Sequence, residues 1–326
     1  MCGTLFNGVG GNLRRGSRRW HSIAFATAFL FAACGGEAPD EAGAPDTSEE
    51  RIIVSGASGQ LGGLVVEELL ALGVEPSQLI LVSRTPEGLE EYAQAGASTR
   101  YGDFSEPESL PAAYEGGTRM LLISISPVPD RVEWHQSAID AAVQAGVQHI
   151  VYTSSVDVDN PSTTSAFDHR STEEYIRASG VAWTMLRNHL YANGLVNQAA
   201  NMLSEGSVVV QPDEVPTAYV AREDCAAAAA SVLIGSGHEN RAYDITGSEL
   251  VTRSDIARIA SDLTGASVEV VEGEGGDEQA PAGVMAGFDS YEVMSDAVRE
   301  LTGRDPITVA ELLEAHRDVL LEAVEG

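Results

Sequence analysis

Arg51-Ile-Ile-Val-Ser-Gly56-Ala-Ser-Gly59-Gln-Leu-Gly62-Gly63 is the stretch that decides how this chain folds. Ile52 to Ser55 read as a short buried strand, and the glycines that follow read as a turn. Leu61, Leu64, Val65, Leu69 and Leu72 then recur at helical spacing. Strand, glycine turn and helix in that order make half of a βαβ unit that holds a pyrophosphate. One glycine permits a tight turn, one lets the backbone approach the phosphates, and one lets helix and strand pack closely. The anion then meets free N–H groups at the helix N-terminus. The spacing is G-x-x-G-x-x-G rather than the commoner G-x-G-x-x-G. Gly56, Ser58, Gly59, Gln60, Leu61 and Gly62 are its candidate pyrophosphate-binding residues.

A chain of 326 residues has room for one large domain or for a main domain with a smaller lobe. Its 44% of hydrophobic residues suffices for a sizeable core. The charge is unusual: 49 acidic residues stand against 19 basic ones, a net of −30. Every basic residue is arginine, and no lysine occurs anywhere. A surface this acidic repels phosphate backbones and anionic lipid headgroups, so nucleic acid is excluded as a partner. Any mechanism that needs a lysine is excluded as well.

The N-terminal stretch has its own pattern. Arg14, Arg15, Arg18 and Arg19 precede an apolar run from Ile23 to Ala33, which ends at Cys34. That run is too short to span a bilayer and suits the apolar region of an export signal. Phe31-Ala32-Ala33-Cys34 resembles a bacterial lipobox, with Phe31 where leucine is usual. The expectation is a signal over 1–33, a lipidated Cys34 and an acidic disordered tether over 34–50. The protein would then be exported and held to a bacterial membrane, on its periplasmic or outer face, by the lipid alone. The competing reading is a buried helix with a core cysteine, which leaves the protein in the cytoplasm. Ser17-Arg18-Arg19-Trp20 also resembles a twin-arginine signal, so the export route stays open. Loss of the signal removes four of the 19 basic residues and none of the 49 acidic ones, leaving 15 against 49, a net of −34. Cys34 and Cys225 would remain, and with Cys34 lipidated no disulfide framework is possible.

From Ile52 onward, short β-like runs alternate with amphipathic helices, the pattern of a parallel sheet covered on both faces. Strands are expected at Leu79–Ser83, Ala97–Tyr101, Met120–Ser124, His149–Ser154, Ala182–Leu186, Val208–Val210, Ala218–Val220, Arg241–Ile245 and Ser267–Val271. Helices are expected at Arg131–Gly146, His169–Ser179 and Ala221–Ile234, and from a Ser254 cap to Thr264. Two more, Asp289–Thr302 and Thr308–Val324, close the chain after an acidic loop at Glu272–Gln279. The fold class is therefore α/β: a Rossmann-like doubly wound parallel sheet over 51–326. A smaller C-terminal lobe is expected mainly from 189–216 and 240–326.

The end of the second strand decides the cofactor. A carboxylate there, about 20 positions after the glycines, would bind the ribose 2′-hydroxyl of NAD. Instead the strand ends Val82-Ser83-Arg84-Thr85, and Arg84 with Ser83 suits the 2′-phosphate of NADP. Asp103, after the third strand, falls near the adenine. Ser124 and Ser126, after the fourth, face the crevice where cofactor meets substrate.

Several motifs in order resemble one family. Ser-Gly-Ala-Ser-Gly-Gln-Leu-Gly (55–62), Leu-Leu-Ile-Ser-Ile-Ser (121–126) and Ala-Gly-Val-Gln-His-Ile-Val-Tyr-Thr-Ser (145–154) belong to the set. So do His169-Arg-Ser-Thr-Glu173, Thr-Met-Leu-Arg-Asn (184–188) and Ala-Arg-Glu-Asp (221–224). Together they resemble the NmrA-like branch of the atypical short-chain dehydrogenases, and within it the bacterial NADPH:quinone oxidoreductases. The resemblance implies an NADP-binding domain whose smaller lobe covers the nicotinamide. It places Gly56, Gly59 and Gly62 on the pyrophosphate, Arg84 on the 2′-phosphate and Asp103 by the adenine. It places Ser126 and Ser154 toward the nicotinamide ribose and ring, and Thr153 is a further candidate cofactor-binding residue. Ordinary short-chain dehydrogenases carry Tyr-x-x-x-Lys where this chain has His169-x-x-x-Glu173.

With no lysine, alcohol–ketone chemistry by that pair is excluded. Hydride transfer to a quinone-like small molecule asks less of a general acid, because the developing phenolate is a stabilised anion. Ser154 or Ser155 would donate to the quinone oxygen, His169 would relay a proton, and Tyr191 and Asn193 would line the site from the smaller lobe. Arg187 ties domains together or contacts the cofactor; its position leaves both open. No metal site is expected. The alternative to an enzyme is a non-catalytic NADP-binding redox sensor that acts through a protein partner.

Overall fold

The computed structural model describes residues 50–325, apart from positions 160, 162, 213 and 274–291. The export signal, Cys34 and nearly all of the tether lie outside the described residues. Among those described, no helix is long and apolar enough to cross a membrane.

The strands are β1 (Ile52–Ser55), β2 (Leu79–Ser83), β3 (Ser98–Tyr101), β4 (Arg119–Leu122) and β5 (His149–Ser155). They continue as β6 (Ala182–Asn188), β7 (Ser207–Val210), β8 (Arg241–Ile245) and β9 (Glu269–Glu272). The helices are α1 (Gln60–Ala71), α2 (Glu90–Gln94), α3 (Leu110–Tyr114), α4 (Arg131–Gln144), α5 (Thr164–Ala178) and α6 (Leu195–Glu205). Beyond them come α7 (Arg222–Ile234), α8 (Arg253–Thr264), α9 (Ala297–Thr302), α10 (Val309–Ala315) and α11 (Arg317–Glu325).

Seven strands pair in parallel in the order β3-β2-β1-β4-β5-β6-β8. Such a sheet must be covered on both faces, which is why its strands read as nearly continuous apolar runs. Alternation then divides the side chains. Ile52, Val54, Leu81, Leu121 and Val151 pack toward α1 and α7, while Ile53, Val82, Met120, Ile150 and Tyr152 pack toward α3, α4 and α5. On the first face α7 lies along α1. Ala226, Ala228, Ala229 and Ala230 there share one core cluster with Leu61, Val65, Val66 and Leu69. Short side chains on α7 let the two helix axes approach closely.

The smaller lobe has its own core, in which α6 supplies Leu195, Ala199 and Met202, α8 supplies Ile256 and Ala260, and α10 and α11 supply Leu313 and Leu320. β7 and β9 form a separate two-stranded parallel sheet. One expected boundary is corrected: β8 joins the main sheet beside β6, so 241–245 are not part of the lobe.

Five local readings also change. α5 begins at Thr164 rather than His169, because Thr163 accepts the Ala166 N–H (3.1 Å) and caps it. Thr252, not Ser254, caps α8 through a capping box with Asp255; the Ser254 hydroxyl binds Glu214 instead. Ala218–Val220 forms no strand, and isolated bridges lie at Thr217 and Val220. The last helix breaks at His316 into α10 and α11, and the helix expected from Asp289 begins at Ala297, with 289–291 outside the described residues. α6 is unanticipated, although its apolar residues carry helical spacing.

Asp224, fully buried in the first turn of α7, ties this helix to the C-terminal region. Its Oδ2 accepts the Ile307 N–H (2.8 Å), and its Oδ1 has no hydrogen-bond partner among the described residues. Burial raises the carboxyl to about 6, against the opposing pull of the Ile307 N–H and Arg304. A carboxyl raised on folding adds stability below its unfolded pKa and loses that stability as pH rises through its folded value. Asp224→Asn should therefore gain on the wild type by up to about 3 kcal/mol between about pH 4 and about pH 8. Urea unfolding of both proteins at the two pH values measures this, and a constant difference would contradict it.

Candidate cofactor and substrate site

Strand order reverses between β1 and β4, so the crevice beyond their carboxyl ends is where an open α/β sheet receives a ligand. The glycine turn lies there. Gly56 and Ala57 both donate to the Val82 carbonyl (2.9 and 3.1 Å), which pins the turn to β2. Gly56 has φ +96°, a conformation that side chains disfavour. A Cβ on Gly62 would overlap the Gly56 carbonyl and come within 2.9 Å of the Ala57 Cα. On Gly59 it would lie 3.2 Å from the same carbonyl. No side chain caps α1, and no acidic residue occupies its first turn. The residues present thus fit a pyrophosphate, with close backbone, a bare helix end and no competing carboxylate. Gln60 is exposed, whereas Leu61 points into the core and has only its N–H to offer.

At the end of β2 the Ser58 and Ser83 hydroxyls lie 2.6 Å apart, and Ser83 Oγ accepts the Thr85 N–H (2.9 Å). Arg84 is exposed and makes no hydrogen bond or ion pair among the described residues. A free guanidinium beside two hydroxyls fits a 2′-phosphate better than a ribose diol. Asp103 closes its own loop, with Oδ1 accepting the Ser105 N–H and O–H (2.9 and 2.8 Å). Ser124 N–H donates to Thr153 Oγ1 (2.8 Å), joining the ends of β4 and β5, and Ser126 is exposed beyond them.

The expected catalytic groups fare differently. Ser154 Oγ donates to Glu173 Oε1 (2.6 Å), so its proton is already spent. Glu173, only 2% exposed, also receives Arg187 Nε (3.1 Å) and Arg177 Nη2 (2.7 Å). Arg187 reaches on to Asp159 (2.6 Å). This clasp binds β6 to α5 and to the loop after β5, and it is the work Arg187 does in the described structure. The idea that Ser154 donates to a substrate is thereby corrected. Ser155 is likewise engaged, donating to Asp157 (2.6 Å).

His169 is corrected too. It is buried, Arg131 Nη2 donates to its Nε2 (2.8 Å), and its Nδ1 lies 2.9 Å from the Tyr152 hydroxyl. Arginine can only donate, so the ring hydrogen sits on Nδ1 and points at Tyr152. Burial, with Arg131 and His135 nearby, holds the imidazole well below its ordinary range. A ring that stays neutral with both nitrogens engaged relays no proton at neutral pH.

A neighbouring histidine serves the same scaffold. His135 Nε2 accepts the Ile125 N–H (3.3 Å), and its Nδ1 meets Thr172 Oγ1 (3.1 Å), which donates to the Asp168 carbonyl (2.8 Å). Burial first, and Arg131 second, push His135 down to about 3. Arg131, His135 and Tyr152 together brace the loop that carries Ser124 and Ser126. Sequence reasoning passes over all three, because nothing in their spacing distinguishes a buried polar network from a solvated helix face.

Tyr191 is half-buried. Asn188 Nδ2 donates to its hydroxyl (3.2 Å), and the Arg222 guanidinium sits 4.9 Å from its ring centroid. Asn193 does not line the site as expected: its Oδ1 accepts the Arg222 N–H (2.8 Å) and its Nδ2 donates to Glu223 (3.0 Å), docking the start of α7.

Comparison with known proteins gives a consistent result. A family model described as NAD(P)H-binding matches residues 56–234. The chain is similar to quinone oxidoreductase 2 of Escherichia coli, at 34% identity over 65% of this chain and 73% of that protein. It is also similar to the NmrA-like family domain-containing oxidoreductase flvB of Aspergillus flavus, at 27% identity over 82% of this chain and 96% of that one. Among solved structures, Citrobacter sp. triphenylmethane reductase complexed with NADP(H) superposes with a TM-score of 0.73 at 31% identity, over 81% of this chain and 99% of that one. The glycine cradle, the strand order and these matches agree: the chain belongs to the NAD(P)H-binding, NmrA-like family of oxidoreductases.

Proposed function

We propose that the protein uses NADPH to reduce a conjugated, quinone-type acceptor. One observation carries the reading: the site has no lysine, and its serine and histidine candidates are locked in buried hydrogen bonds. What remains suits an acceptor whose reduced form is a stabilised anion, for which positioning supplies much of the rate. The similar proteins named for a quinone and for a triphenylmethane substrate support the same class.

In this reading the turn from Gly56 to Gly62 and the first N–H groups of α1 take the pyrophosphate. Arg84 takes the 2′-phosphate, with Ser58 and Ser83 beside it. Ser124, Ser126 and Thr153 hold the ribose and ring at the far end of the crevice. When bound, the nicotinamide supplies a hydride. Glu173, clasped by its arginines, keeps Ser154 rigid, so that Ser154 Oγ can only accept a hydrogen bond from a bound ligand. The network of Arg131, His135 and His169 keeps the β4 loop in place, with both imidazoles neutral beside the Arg131 cation.

The test is NADPH oxidation by the purified full chain across a panel of quinones; rates no higher than background would end the reading. In the same assay Arg84→Ala should raise the KM for NADPH by about 10–100-fold, the loss of a charged hydrogen bond. The KM for NADH should change far less.

A further inference from the structure

We propose that Tyr191 donates the proton to the reduced acceptor, and that Arg222 and Asn188 are the positioning residues that ready it. The proposal rests on the reading above of a quinone-type acceptor. Its first support is the use already made of the other groups: Ser154 gives its proton to Glu173, and His169 has both nitrogens engaged. Tyr191 differs in the direction of its hydrogen bond. Its oxygen receives Asn188 Nδ2 (3.2 Å), which uses a lone pair and leaves the phenolic hydrogen without an acceptor among the described residues.

The second support is placement. Tyr191 follows β6 at the carboxyl edge of the sheet and packs against the core cluster that holds Ala57 and Leu61, as Ile123 does. It therefore shares both the edge and the face of the glycine turn. The third is the cation above its ring, which favours the phenolate over the phenol. The backbone that carries that cation is firmly held. Val220 N–H donates to Leu190 O (3.0 Å), Ala192 N–H to Val220 O (2.8 Å) and Arg222 N–H to Asn193 Oδ1 (2.8 Å). Residues 190–193 and 220–222 are thus stitched together, with Arg222 over Tyr191. Burial raises the phenol above its ordinary range, while Asn188 and Arg222 pull the other way.

The step balances simply. A quinone that has accepted a hydride is a hydroquinone monoanion. The Tyr191 O–H bond breaks as an O–H bond forms on the acceptor oxygen, giving the neutral hydroquinone. The tyrosinate, hydrogen-bonded by Asn188 and facing Arg222, takes its replacement proton from water.

Turnover of a water-soluble benzoquinone with NADPH, and NADPH affinity by fluorescence, would be measured for the wild type, Tyr191→Phe, Arg222→Met, Arg222→Lys and the Tyr191→Phe/Arg222→Met double variant. Tyr191→Phe should lower kcat by about 100-fold, with NADPH affinity unchanged within about twofold. Arg222→Met should lower kcat by about tenfold, and Arg222→Lys, which keeps the cation, should recover most of it. The double variant should be no slower than Tyr191→Phe alone, because Arg222 acts through the phenol. Wild-type kcat in Tyr191→Phe, equal loss in the methionine and lysine variants, or multiplying losses in the double variant would each overturn the proposal. A wild type that oxidises no NADPH with any quinone removes the underlying reading as well; wild-type turnover with an unaffected Tyr191→Phe removes this step alone.

Discussion

Gly62→Ala is expected to lose at least about 100-fold in kcat/KM and to bind NADPH too weakly to measure, while Gly63→Ala, one residue on, keeps both. The two substitutions add the same methyl group to the same helical turn. At Gly62 that methyl would run into the Gly56 carbonyl and lie 2.9 Å from the Ala57 Cα, both backbone atoms of the turn itself. Backbone cannot rotate aside as a flexible side chain can, so α1 must shift away from the turn, and its first N–H groups go with it. A shift near 1 Å at the phosphates is enough for the loss stated. At Gly63 the nearest atom is the Ala57 carbonyl oxygen at 3.9 Å, an ordinary contact. Alanine also favours the helix over glycine by about 1 kcal/mol, so Gly63→Ala should be slightly more stable than the wild type. Fluorescence titration with NADPH, and circular dichroism to confirm that each variant folds, provide the check. Equal affinity in the two variants would contradict it.

Glu173→Ala is expected to lower stability by about 3–5 kcal/mol, the cost of stripping a buried charge of its counterion. Glu173 is 2% exposed, and the guanidinium of Arg187 that it binds is itself largely buried. The variant leaves that guanidinium with Asp159 alone and orphans the Ser154 hydroxyl. Arg177 is half-exposed and adds little to the loss. Glu173→Gln, which keeps an acceptor for Ser154, should lose less than the alanine variant. Replacing Glu173 and Arg187 together by apolar residues should cost less than the two single losses combined. Urea unfolding of the wild type, both Glu173 variants, the Arg187 single variant and the double variant decides the matter; a loss below about 1 kcal/mol in Glu173→Ala would show that the clasp is wet rather than buried.

The fold was legible from residues that obey one period. The strand Ile52–Ser55, the glycine turn and the leucines of α1 announce themselves, and β2, β5 and β8 follow from short apolar runs between turns. Arg84 stands out for a chemical reason, because a cation occupies the place where a carboxylate would serve another cofactor, and among the described residues it is exposed and unpaired. The site beyond the cradle was less so. His169 and Glu173 stand out in the sequence as an acid–base pair, yet burial converts one into a neutral strut and the other into an anchor for arginine. Which neighbour captures a side chain depends on residues distant in the chain: Arg131 for His169, Arg187 for Glu173. The docking role of Asn193 and the cap at Thr163 escaped for the same reason, since each is defined by the helix it meets. β8 fell inside the span expected for the smaller lobe, because a five-residue strand does not state its neighbour.

The run of alanines on α7 reaches further than packing. Because those side chains are short, α1 is seated against α7 through Leu61, Val65, Val66 and Leu69, and its front end is the part that carries the glycine turn. The seat of the glycine turn is therefore set from behind, by the alanine face of α7. One added methylene at Ala229 would work like a shim under a beam, tipping the far end by an amount that grows with distance from the point of insertion. Residues remote in sequence from the glycine turn thereby hold a vote on how tightly it closes.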